Sequence, residues 1–256
     1  MCLIAIAHRA HADYPLVVAA NRDEYHHRPT RASAFWDESP QLLAGRDLEA
    51  GGTWMGITRS LRFAAITNHR NPPGVPAQPR SRGLLTLDFL LGDSSPEAYL
   101  AAIAERGQEY AGFNLLIGTG DELWYYSNIQ GLPERLDAGV YALSNANLTS
   151  AWPKQDLAAN ELEGALNQAF SHETLRTAVS SREAAEDTRL PDTGVGRDME
   201  SWLSAQFIVG DSYGTRSTTT MWLHREGKLD WEEHCFDASG ALSTRQNWEF
   251  SSGGRE

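Results

Sequence analysis

The chain has 256 residues, 41% hydrophobic and 22% charged, a mixture that belongs to a globular protein rather than to a disordered tail or a membrane span. Its 34 acidic residues against 22 lysines and arginines give a formal charge of -12, which excludes the basic footprint of a nucleic-acid binder and disfavours adsorption to anionic membranes. Two cysteines, Cys2 and Cys235, are too few for a disulfide scaffold, and no CxxC pair is present for a zinc ribbon or a thioredoxin-like motif.

In chain order, residues 2–7 and 16–20 are short apolar runs, predicted to pair as a hairpin across a polar stretch ending at Pro15. Neither run can span a bilayer and no signal peptide is read, so a cytoplasmic protein is expected. Asn21-Arg22-Asp23-Glu24 follows the second strand at once. Residues 26–29 open a polar loop, and 36–40 read as a surface turn. Gly51-Gly52-Thr53-Trp54 begins an extended region, and 61–67 reads as a strand buried on both faces, ending in Asn68-His69-Arg70-Asn71-Pro72-Pro73. A loop rich in Pro and Arg runs to Arg82. A helix over 84–91 stops at Gly92, and Ser95-Pro96 caps a second helix. Segments 113–118 and 123–127 form a hairpin, and 140–144 is a strand. Helices are predicted over 155–170 and 197–207, on either side of a polar loop. A last hairpin joins 218–223 to 229–236, and the tail from 251 should fray. Antiparallel pairs with helices grouped between them predict an α+β layered fold, with residues 1–256 as a single domain.

Several of these segments carry groups suited to chemistry. If Met1 is removed, Cys2 bears both a thiol and a free α-amine, whose reference pKa of about 7.7–8.0 makes it a base near neutrality. One residue would then supply both nucleophile and base. The plainer alternative is a small residue in an apolar strand. If the first two strands pair, Arg22 and Asp23 lie beside Cys2. Arg22 would hold a thiolate or a substrate carboxylate, and Asp23 would orient the ammonium; the alternative is a turn with surface ion pairs. Asn68, Asn145 and Asn147 sit at strand ends as oxyanion donors or turn residues. Gly214-Thr215-Arg216-Ser217 offers a second arginine. His26, His27 and His69 lack the spacing of a ligand set, so no metal is assigned.

Taken together, the opening Met-Cys, the tetrad with Tyr25 and Arg28-Pro29, Gly51-Gly52-Thr53-Trp54, Thr67-Asn68-His69-Arg70, Leu143-Ser144-Asn145 and Tyr213-Gly214-Thr215-Arg216-Ser217 resemble the NRDE family, also called the transport and Golgi organisation 2 family, over nearly the whole chain. The pattern is also similar, more distantly, to N-terminal nucleophile hydrolases with an initiating cysteine, such as choloylglycine hydrolases and penicillin V acylases. That second resemblance implies a four-layered αββα sandwich. It implies Cys2 as nucleophile, Arg22 and Asp23 flanking it, Asn68 and Asn145 as the two asparagines, and Arg216 as the late arginine. Asn145 precedes Ala146 and Arg216 precedes Ser217, departures that leave the substrate-facing loops free to differ. Asn21, Trp54, His69 and Asn147 are candidates for substrate contact. The reading is an amidohydrolase for a small amide or (thio)ester, working through a Cys2 thioester without a cofactor, with a small molecule as its partner. The rival is a non-enzymatic carrier of haem or a lipid-like ligand, in keeping with the family's links to haem traffic and lipid metabolism.

Overall fold

The computed structural model describes residues 2–70 and 74–253. Met1, the loop residues Asn71, Pro72 and Pro73, and the last three residues of the expected frayed tail lie outside the described residues. The chain opens with strands β1 (Cys2–His8), β2 (Leu16–Tyr25), β3 (Thr30–Trp36), β4 (Ser39–Asp47), β5 (Met55–Thr58) and β6 (Arg62–Asn68). Helices α1 (Gly83–Leu91) and α2 (Pro96–Ala104) follow, then β7 (Phe113–Thr119), β8 (Glu122–Ser127), β9 (Glu134–Leu136) and β10 (Gly139–Leu143). Helices α3 (Pro153–Leu166), α4 (His172–Thr177) and α5 (Arg197–Trp202) lead to β11 (Tyr213–Leu223), β12 (Lys228–Phe236) and β13 (Leu242–Ser251).

The strands make two antiparallel sheets, ordered β10-β1-β2-β11-β12-β13 and β3-β4-β5-β6-β7-β8-β9. Strand periodicity sorts their side chains. Ile4, Ile6 and Val18 meet Leu43, Met55 and Phe63 of the other sheet in a shared core. The alternate residues Leu3, Ala5 and Val17 pack outward against Ala158 and Leu162 of α3 and Leu175 of α4. On the far side Leu42, Ala64 and Ile117 pack against Leu85 and Phe89 of α1 and Leu100 of α2. The layers are therefore helix, sheet, sheet, helix: the expected αββα sandwich. β1 reads as one apolar run because both its faces are covered.

Local chemistry sets several boundaries. The Ser95 side chain accepts from the Ala98 N–H and Pro96 opens α2, as predicted. The helix predicted over 197–207 ends at Trp202. Gln206 and Phe207 both donate their backbone N–H to the Ser181 carbonyl, and the Gln206 carbonyl accepts from Asn21 Nδ2, so this stretch is tied into other contacts. Residues 36–40 hold the turn of a β3–β4 hairpin, and β13 adds an edge strand, neither pairing expected from the sequence.

Gly51 adopts φ +77°, a left-handed conformation that suits glycine. Next to it, a Cβ on Gly52 would stand 2.5 Å from the backbone carbonyl carbon and oxygen of Gly83. The Thr53 N–H donates to the Gly83 carbonyl at 3.2 Å, so the turn before β5 grips the start of α1. Gly52→Ala should push α1 off this turn and cost about 1–3 kcal/mol, the usual penalty of overpacking, read as a lower midpoint in urea unfolding. An unchanged midpoint would remove this contact from the account of the fold.

Candidate active site

β2 is paired on both edges as far as Arg22, and on the β11 edge through the rest of the tetrad. Cys2 lies opposite Arg22 on one side, and Ser217 lies opposite Arg22 on the other. Directly opposed residues share a face, so Cys2 and Arg22 look into the space between the sheets, like Ile4 and Ala20 behind them. Asn21 takes the other face. It donates from Nδ2 to the carbonyls of Val179 at 2.7 Å and Gln206 at 2.9 Å, and its Oδ1 accepts from Thr218 at 2.6 Å. Its amide is committed to those segments on the helix side, so the expected substrate contact is replaced by a fastening role.

The register between β2 and β11 slips between Thr215 and Ser217, leaving Arg216 as the extra residue of a bulge. Its guanidinium donates to the carbonyls of Tyr25 and Arg28, both at 2.9 Å. Arg216 lines a neighbouring cavity with Arg22 and Trp54, not the one that holds Cys2. The bulge thus explains why the late arginine is not beside the thiol.

Asp23 is buried, accepts from the Thr215 hydroxyl at 2.7 Å through Oδ1, and accepts from Tyr213 through its carbonyl. Burial pushes its carboxyl up, opposed by Lys154, the amino terminus and Thr215. Burial also pushes the Cys2 thiol up, while the positive amino terminus pulls it down. At neutral pH the thiol is mostly protonated and needs a base to react.

The two asparagines do different things. Asn145 is fully buried and directs Nδ2 at both the Asn68 carbonyl and Asn68 Oδ1, each at 3.0 Å. Both its amide hydrogens are used, so it cannot also donate to an oxyanion; it positions Asn68. The Ser144 hydroxyl donates to the Cys2 carbonyl at 3.0 Å, and the Thr67 hydroxyl donates to the Ser144 carbonyl at 2.5 Å, which stitches β6 and β10 to the start of β1. Asn68 Oδ1 is thereby occupied, and its Nδ2 has no acceptor among the described residues.

Cys2, Arg22, Asp23, Asn68 and Trp54 line one cavity of about 330 Å³. His69 and Asn147 do not. His69 donates its backbone N–H to Gly112, and the Asn147 carbonyl accepts from the Gln155 side chain at the start of α3. Both asparagine and histidine stand one residue or more beyond the strand ends that reach the cavity.

The family profile described as Transport and Golgi organisation 2 matches residues 1–238. The chain belongs to this family. Relatives include the Transport and Golgi organization 2 homologs of Mus musculus, 32% identical over 239 residues, and Homo sapiens, 33% identical over 241 residues, with 86% of each chain covered. The Drosophila melanogaster protein is 25% identical over 243 residues, again covering 86% of each chain. A solved Caenorhabditis elegans N-acylethanolamine-hydrolyzing acid amidase ortholog aligns at 6% identity and TM-score 0.48, covering 86% of this chain and 92% of that one.

In this Transport and Golgi organisation 2 member two basic residues near Cys2 belong to none of the sequence motifs. Arg82 lines the cavity from the residue before α1. Lys154, in the first turn of α3, is buried and its Nζ has no hydrogen-bond partner among the described residues. It lies within electrostatic reach of Asp23, Cys2 and the Arg70–Glu200 pair, which is buried and closes at 2.5 Å. Burial drives the Lys154 amine down to about 8, against the pull of Asp23. Its only sequence signal is scarcity, since Lys154 and Lys228 are the chain's two lysines.

That depression has a sign. In the unfolded chain Lys154 titrates near the reference value of about 10.4, so between its folded and unfolded pKa values the unfolded chain binds more protons, and this group makes stability rise with pH. The stability difference between wild type and Lys154→Met should therefore grow in favour of wild type from pH 8 to pH 10, measured by urea unfolding at both. A difference that stays flat or shrinks would contradict the burial of this amine.

Proposed function

We propose that this protein is an N-terminal-cysteine hydrolase for a small amide or (thio)ester. The observation that carries the reading is the meeting of Cys2, Arg22, Asp23 and Asn68 around one cavity, with Asn68 Oδ1 held by Asn145 and Asn68 Nδ2 without an acceptor among the described residues. With Met1 removed, the Cys2 α-amine takes the thiol proton as Sγ bonds to the carbonyl carbon. Asn68 Nδ2 and a backbone N–H stabilise the oxyanion. Asp23 and Arg22 orient the amine and the thiol. Collapse breaks the bond to the leaving group, which departs with the proton, and leaves a Cys2 thioester. A water then gives its proton to the amine, attacks the thioester, and releases the acid and the thiol.

A carrier of haem or a lipid-like ligand would want an apolar wall, whereas this lining holds four arginines and the carboxylates of Asp23, Glu24 and Asp47. The volume suits a small molecule. A cytoplasmic setting belongs to the same proposal, supported by two unpaired cysteines. Among the described residues no helix is long and apolar enough to cross a membrane.

Intact mass of the isolated protein should show Met1 absent, and a thioester probe should leave one acyl group on Cys2. Turnover by protein that retains Met1 would eliminate the α-amine as base. Asn68→Ala should slow acylation by about 10²–10³-fold, the usual loss of an oxyanion donor, while Cys2→Ala should abolish the adduct. An adduct that persists in Cys2→Ala would place the chemistry elsewhere.

A further inference from the structure

Four arginines line the Cys2 cavity, and three are answered by carboxylates. Arg28 meets Asp47 at 2.8 Å and Glu49 at 3.0 Å, Arg80 meets Glu109 at 2.9 Å, and Arg22 meets Glu24 at 3.7 Å. Arg82 forms no ion pair with a described residue. Among the described residues its guanidinium donates once, from Nη1 to the Gly112 carbonyl at 3.0 Å. A guanidinium carries five N–H donors in a rigid fork, so most of this one is uncommitted. It also sits still. Arg82 immediately precedes Gly83, whose backbone is clamped against Gly52 and Thr53.

A partly desolvated cation at the wall of a cavity, with no counter-ion among the described residues, is a binding element for an anion. One unanswered guanidinium asks for one negative charge, and its planar fork matches a carboxylate. Glu24 and Asp47 in the same wall would repel a group bearing more charge.

We propose that Arg82 anchors a free carboxylate of the substrate while Cys2 attacks the acyl carbon at the other end, so that the preferred substrates are acyl donors derived from dicarboxylic acids. The inference rests on the hydrolase reading above and narrows its substrate class. A competing use of Arg82 is to hold the Cys2 thiolate, and the experiment separates the two.

The protein with Met1 removed is mixed with the mono-thiophenyl ester of glutaric acid, with thiophenyl valerate as its uncharged counterpart of the same chain length, and with a trimethylammonio-butyryl thiophenyl ester. Adducts are read by intact mass and rates by thiophenolate release. Wild type should favour the glutaryl over the valeryl probe by about tenfold or more, as expected for a charged hydrogen bond. Arg82→Gln should bring that ratio close to one, Arg82→Lys should keep part of it, and Arg82→Glu should reverse it toward the trimethylammonio probe, a gain that loss of folding cannot imitate. No Cys2 adduct with any probe would overturn the hydrolase reading itself. Adducts without glutaryl preference, or the same preference in Arg82→Gln, would overturn the anchor alone. So would an unchanged ratio accompanied by an alkaline shift of Cys2 alkylation by iodoacetamide, which would give Arg82 to the thiolate. A probe ending in phosphate that outruns the glutaryl probe would overturn the carboxylate assignment.

Discussion

The double pairing of β2 governs the rest of the site. A strand bonded on one side can bend away at its end, but β2 is laddered to β1 and β11 as far as Arg22, and to β11 alone as far as Tyr25. The tetrad therefore stays in the sheet and extended, with Asn21, Arg22 and Asp23 buried, and the alternative of a surface turn does not apply. The same ladder brings the first described residue into register with Arg22, which ties the start of the chain to the middle of a sheet. Ser144 closes the third side by donating to the Cys2 carbonyl. A reactive group at a chain terminus needs this kind of restraint, because a terminal residue otherwise frays.

Around that ladder the polar residues divide into those that face the cavity and those that hold them there. Arg22 and Asn68 face it. Asn145 holds Asn68, Thr215 holds Asp23, and Asn21 pins the segments that carry Val179 and Gln206. Buried polar groups of this kind are costly unless satisfied, so each supporting bond also fixes a geometry. Lys154 is the exception: an amine inside the fold with no hydrogen-bond partner among the described residues, close enough to Asp23 for each to influence the other's proton.

Much of the architecture was legible where one rule dominates. Apolar runs around a polar turn gave the β1–β2 hairpin, and Ser95-Pro96 marked the start of α2. The β3–β4 hairpin was not legible, because β3 alternates irregularly between buried and half-exposed positions and carries no clean period. β13 is an edge strand exposed along most of its length, so hydrophobic pattern says little about it. In the site, the residues adjoining Cys2 through strand pairing were readable as soon as the hairpin was drawn. Arg82 and Lys154 reach the same region by helix packing across the sandwich, and no spacing in the sequence encodes that approach. The opposite case is Asn147, whose residue type suggested a donor but whose place lies past the end of β10.

The alternation along β2 also makes the order of its polar residues a matter of parity. Arg22 falls on the cavity side because it is an even number of positions from Val18 and Ala20 in the shared core, and Asn21 on the helix side because it is an even number from Val17. Inserting one residue between Pro15 and Asn21 would preserve the composition and every motif while exchanging the two faces. The arginine would then be driven under the helices and the asparagine turned toward the thiol. For this strand the counting frame from the first turn matters as much as the letters it carries.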